Sequence, residues 1–101
     1  MQNSNQSINV IAVNPEVRNG RPHIVGTTVT VADIAIAKIY HDQDADGIAD
    51  WYGLTLAQVY AALSYYYDNK AAMDEQVRQL IRHAEDLKAK RVGNEGSLLS
   101  R

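Results

Sequence analysis

The 101-residue chain is 46% hydrophobic and 22% charged, and its ten Lys and Arg against twelve Asp and Glu leave a formal net charge of -2. That length suits one domain around one modest core, to which a second chain or a bound partner adds useful stability. The absence of cysteine excludes disulfides, thiolate catalysis and cysteine-ligated zinc together.

The charge is unevenly spread. Residues 41–70 hold Asp42, Asp44, Asp46, Asp50 and Asp68 against Lys70 alone, while both flanking segments are slightly basic. An acidic middle works against nucleic-acid binding, because most affinity for DNA comes from neutralising phosphates. Met1–Ser7 is polar and uncharged, without the basic and apolar regions of a secretory signal. No apolar run approaches the roughly 20 residues of a membrane helix. A cytoplasmic protein without membrane contact is expected.

In chain order, residues 1–7 are expected to be a flexible tail. Ile8–Val13 is β-branched and apolar, the pattern of a strand. Asn14-Pro15 and Asn19-Gly20 mark turns, and His23–Val25 and Thr27–Val31 read as two further β pieces broken at Gly26. A small N-terminal β-hairpin follows from these. Thr30, with Asp33 three residues on, predicts a capped first helix running to about His41, with Val31, Ile34, Ala35, Ala37 and Ile39 at helical spacing. A second helix fits Ala45–Tyr52 and ends at Gly53, since glycine takes the left-handed position after a helix at little cost. Thr55 caps a third helix reaching about Asn69. A fourth starts near Ala71, with Asp74 and Glu75 at its positive end, and runs to about Arg91. Residues 92–101 are expected to be a second flexible tail, leaving residues 8–91 as a single domain.

The functional signal lies in Ala45–Leu63. A helix-turn-helix needs two short helices, a turn of three or four residues often containing glycine, and a small residue where the helices cross. Ala49 supplies the small contact and Gly53 the turn; Ile48, Tyr52, Leu54, Val59 and Leu63 supply apolar anchors, with Ala62 beside the last. The second helix of such a motif reads DNA. Thr55, Gln58, Ala61, Ser64 and Tyr65 fall on its outer side. Gln58 has the chemistry to pair with adenine, and Thr55 and Ser64 to meet phosphate or base edges. Residues 41–69 contain no Lys or Arg, so phosphate contacts fall to Arg18, Arg21, Lys38, Lys70 or the C-terminal basic residues.

Several segments together resemble the domain of unknown function 433 family: Asn14–Val17, Asn19–Thr27, Ile48–Tyr52, Leu54–Val59 and Ala61–Tyr66. The resemblance spans about residues 8–76. It implies a homeodomain-like or winged-helix fold with an N-terminal β element, and an antitoxin role opposite a PIN-like ribonuclease toxin. Two positions depart from the family pattern. Thr28 stands where arginine is usual, which removes a positive charge, and Gly53 stands where proline is frequent, which keeps a turn residue.

Other motifs carry less. Asp42, Asp44, Asp46, Gly47, Ile48 and Asp50 fit an EF-hand loop, but its twelfth position, which must supply a bidentate carboxylate, is Gly53. His23, His41 and His83 are scattered, without metal-ligand or triad spacing. Nothing suggests catalytic residues, a metal or a cofactor, and an enzyme is not expected. Tyr60 and Tyr65–Tyr67 spread about 100° apart around a helix, so some must be core and others exposed.

Met73, Val77, Leu80, Ala84 and Leu87 form a short heptad seam widened by Ile81. The preceding domain has reach to cover Met73 and Val77. Leu80, Ala84 and Leu87 are therefore expected to meet a second chain, another copy or a toxin. The leading expectation is a dimeric, DNA-binding regulator of antitoxin type. The alternative is a protein-interaction or oligomerisation module on the same fold without DNA binding.

Overall fold

Two short strands, β1 (Ile11–Ala12) and β2 (His23–Ile24), pair antiparallel with Ile11 opposite Ile24 and Ala12 opposite His23. They belong to a computed structural model that describes the backbone of residues 10–99 and the side chains of residues 10–91. The expected tail at 1–7, and the start of the first strand at Ile8, lie outside the described residues. The loop joining the strands turns twice where expected. Asn14 accepts the Val17 N–H on its carbonyl and the Glu16 N–H on its side chain, both at 2.9 Å. Arg18, Asn19 and Gly20 all take positive φ, of 49°, 59° and 78°, a run that only the last residue adopts without cost.

The run Thr27–Val31, expected to be extended, makes a single bridge from Thr30 to His23. Thr27 explains why. Its hydroxyl donates to the Ile24 carbonyl at 2.8 Å and accepts the Val29 N–H at 3.0 Å, closing a turn that competes with a strand.

Four helices follow: α1 (Val31–Ile39), α2 (Ala45–Tyr52), α3 (Leu56–Asp68) and α4 (Lys70–Leu99). Thr30 and Asp33 form the expected reciprocal cap on α1, each side chain accepting the other's backbone N–H at 3.0 Å. Asp44 caps α2 by accepting the Gly47 N–H at 2.8 Å. Residues 45–52, which would have to wrap an ion in an EF-hand, are therefore helical. Gly53 at φ 68° ends α2, and the Leu54 N–H returns to the Ala49 carbonyl at 2.9 Å. The sequence reading closed α4 near Arg91, whereas the helix runs to Leu99. No proline follows Pro22, and a glycine costs a helix only about 1 kcal/mol without forcing it to stop.

The core joins Ile24 of β2, Val31, Ile34 and Ala35 of α1, Ile48 of α2, Val59, Ala62 and Tyr66 of α3, and Met73 and Val77 of α4. α1 and α3 each touch all three other helices, and α3 also meets both strands. Ile39, expected inside, is 46% exposed, because Ala37 takes the inward position at the end of α1.

A polar knot fixes α4 to α3. The Tyr66 hydroxyl donates to Asp74 at 2.5 Å, and Lys70 Nζ donates to the other carboxylate oxygen at 2.7 Å. These bonds, that from Lys70 first, hold the Asp74 carboxyl below its ordinary pKa. A lowered carboxylate pKa contributes stability that is present above the unfolded-state value and is lost as pH falls through the folded-state value. Asp74→Asn is accordingly expected to flatten the fall of melting temperature below about pH 4, measured by thermal denaturation across a pH series. Equal slopes for the two proteins would show that the knot contributes nothing.

Candidate protein-docking surface

Apolar spacing brings α4 onto α1 and then carries it away. Met73 and Val77 are buried, Leu80 and Ile81 are half-buried, and every described side chain from Arg82 to Arg91 is exposed, Leu87 at 48%. Where α4 departs, Ile36 and His41 face Leu80, Ile81, Ala84, Glu85 and Lys88 across a groove of about 260 Å³. The expected partner-binding residues therefore differ in setting. Leu80 and Ala84 line this groove, whereas Leu87, between the lining residues Glu85 and Lys88, does not.

Of the residues expected to read DNA, Thr55 caps α3 and Gln58 and Ser64 lie on it. Thr55 and Gln58 form a second capping box: Gln58 Oε1 accepts the Thr55 N–H at 2.8 Å, and Thr55 Oγ1 accepts the Gln58 N–H at 3.1 Å. Bidentate pairing with adenine uses both ends of a glutamine amide, and here the oxygen end caps α3. The Thr-x-x-Gln spacing carried that signal in the sequence. Ser64 is exposed on α3, as are Leu56, Ala57, Tyr60 and Tyr67, and Lys70 and Arg78 lie beside Tyr67. Ala61 and Tyr65 are partly buried.

Arg18 is engaged inside the chain. Its guanidinium donates to the Thr28 carbonyl at 2.9 Å and pairs with Asp33 at 3.0 Å, pinning the β1–β2 loop to the first turn of α1. Arg21 is half-buried and Lys38 exposed. No hydrogen bond or ion pair among the described residues joins Arg18, Arg21 or Lys38 to Thr55, Gln58 or Ser64.

A second concavity, of about 320 Å³, lies between α1 and α2, lined by Asp33, Ile36, Ala37, His41, Gln43, Trp51 and Tyr52. The α1–α2 loop builds it. Asp42 takes φ 53°, and the Gln43 N–H folds back to the Ala37 carbonyl at 3.1 Å. Trp51, the single tryptophan, is 75% exposed. Burial, followed by the nearby Asp33 charge, pushes the Tyr52 phenol up from its ordinary pKa. Sequence reasoning gave Asp33 a capping role, Ala37 and Tyr52 apolar roles and His41 none, and it did not bring these side chains together. No helix among the described residues is long and apolar enough to cross a membrane.

These elements define a mainly helical domain with a small N-terminal antiparallel hairpin, whose last helix outruns the body it packs on. The chain matches the family described as protein of unknown function, DUF433, over residues 11–66, more than half of its 101 residues, and it belongs to that family. The match covers both strands and α1 to α3 as far as Tyr66, short of α4. No curated protein and no solved structure matches the chain.

Proposed function

We propose that this chain is a regulatory protein of antitoxin type that acts by holding a partner protein along α4, a PIN-like ribonuclease toxin being the partner class. One observation carries the reading: the exposed length of α4 from Arg82 to Arg91. A helix of this kind gains too little from intrinsic propensity to persist in water, and most helical stability comes from packing an apolar face. Leu80, Ile81, Ala84 and Leu87 continue the face that Met73 and Val77 bury, so the surface to be covered begins where the domain's own core stops. Changing Leu80 and Leu87 together to glutamate is expected to abolish association with the PIN-like protein and with other copies of the chain, while circular dichroism of the domain stays native. Sedimentation of each protein alone and mixed reads this directly. A wild type that stays monomeric with and without the PIN-like protein, beside a double variant that unfolds, would show that the stripe is core and defeat the reading.

Operator binding through a homeodomain-like or winged-helix reading helix is the second reading, favoured by the three-residue connection Gly53–Thr55 between α2 and α3. Gln58→Glu separates the two. Glutamate preserves the capping box, so the fold stands, yet it sets a negative charge where a reading residue would meet DNA. Promoter retardation in a gel that the wild type shows and Gln58→Glu loses would support this second reading. Protein-partner binding unchanged by the substitution, with no retardation by either form at any salt concentration, is the result expected here.

A further inference from the structure

A third concavity, of about 620 Å³, lies against the hairpin, and Ala12, Val17, Val25 and Gly26 give it apolar walls. His23 lines it too and is only 5% exposed. His23 and Thr30 are the buried polar side chains among the described residues, and Thr30 uses its hydroxyl to cap α1. His23 Nδ1 lies 3.3 Å from the Arg21 carbonyl. A carbonyl only accepts, so Nδ1 carries the proton and the neutral ring keeps a lone pair on Nε2. No hydrogen bond among the described residues reaches that atom. The unpaired side-chain atoms sealed from solvent are Gln43 Oε1 and Gln76 Oε1, so Nε2 is not sealed, and it opens on the concavity that His23 lines. The other polar groups of the wall are engaged or peripheral. The Thr27 hydroxyl is bonded on both sides, Asn14 Oδ1 accepts the Glu16 N–H, and Thr28 is exposed. No lining residue is Lys, Arg, Asp or Glu, and no cluster of metal-ligating side chains exists among the described residues.

We infer that this concavity binds a phenol group, a flat uncharged ring whose one O–H donates to His23 Nε2. A charged ligand would find no counter-charge in the wall, and a buried charge needs one. A wholly apolar ligand would cover Nε2 and leave its lone pair unpaired, at the cost of desolvating it. A phenol avoids both: it carries a large apolar surface and a single polar handle, and its O–H is more acidic than that of an aliphatic alcohol, hence the better donor. The floor suits a ring. Gly26, at φ 81°, has no atom within 4 Å of the place a Cβ would take, so its peptide is bare for a flat group to lie on. The volume falls within the range of small-ligand sites and leaves room for the carbon chain that bears the ring. A tyrosine side chain of a partner and a free phenol share this chemistry. The inference stands apart from the docking reading, because no residue of α4 lines the site.

Titration of the full chain with p-cresol, followed by proton–nitrogen NMR, is expected to show saturable binding in the millimolar range. The backbone amides from Val25 to Thr28 and the His23 Nε2 resonance should move together. p-Methylanisole, the same ring without the donor, should bind about tenfold more weakly, the worth of one hydrogen bond, and leave Nε2 in place. 4-Methylcyclohexanol, which keeps the O–H but not the flat ring, should also bind more weakly. His23→Asn retains a donor for the Arg21 carbonyl and removes the acceptor at Nε2, so the variant should bind p-cresol and p-methylanisole alike. Should His23→Asn fail to fold, Val25→Glu changes a wall residue that is half exposed, and it should abolish p-cresol binding in a folded protein. N-acetyl-tyrosinamide separates the two sources. Binding at least as tight as that of p-cresol assigns the site to a tyrosine of a polypeptide, and its exclusion assigns the site to a free phenol; the phenol site stands in both cases. No saturable change, equal binding of p-methylanisole or 4-methylcyclohexanol by the wild type, an unmoved Nε2 resonance, or binding that survives Val25→Glu would overturn the inference.

Discussion

Replacing Ile34 with alanine is expected to destabilise the protein by about 2–5 kcal/mol, the cost of deleting buried methylenes plus the cavity they leave. Ile34 is fully buried on α1, in the core cluster that also holds Ile48 of α2, Val59 of α3 and Val77 of α4. Against a total stability of about 5–15 kcal/mol for a domain of this kind, the loss is large. Urea denaturation should show it as a lower midpoint at unchanged slope. The variant also separates core from surface. Ile34→Ala should weaken partner binding only in proportion to the unfolded fraction it creates, whereas Leu80 and Leu87 to glutamate should remove binding from a protein that remains folded. An Ile34→Ala protein of native stability would mean that Ile34 does not sit in a close-packed core.

What the sequence conveyed and what it withheld divide along a physical line. Periodicity and caps are local, and they placed all four helices, the box at Thr30 and Asp33, and the glycine stop at Gly53. The same logic was available for Thr55 and Gln58, but two chemistries compete for a glutamine at that position: it accepts the backbone N–H of its own cap as readily as it contacts a base. In the structure the amide oxygen of Gln58 serves the cap. Thr27–Val31 misled for a related reason, since β-branched residues favour strands while a threonine hydroxyl also closes turns. Ile39 shows the limit of a period taken too far: at the last turn of α1 the inward direction passes to Ala37. The concavity between α1 and α2 was not legible at all. It depends on the left-handed Asp42 turning Gln43 back onto Ala37, a single backbone event with no periodic trace, and on a lone Trp51 whose neighbours come from another helix. The contrast between buried Met73 and Val77 and open Leu87 was legible, because two heptads of apolar residues exceed what so small a body has surface to cover.

Replacing Ala49 with leucine is expected to cost about 1–3 kcal/mol by overpacking the place where α2 meets α3. Ala49 is 9% exposed, and the turn after it is held tightly, with Leu54 bonded back to the Ala49 carbonyl at 2.9 Å and Gly53 in the left-handed region at φ 68°. A longer side chain therefore has no slack to exploit: α2 must shift against α3, or neighbours such as Val59 and Leu63 must leave their rotamers. Because Trp51 and Tyr52 ride on the last turn of the same helix, the shift should also disturb the concavity they line. Thermal denaturation should show a lower melting temperature. Unchanged stability would mean that α2 and α3 do not cross at Ala49, and the helix-turn-helix reading of residues 45–63 would go with it.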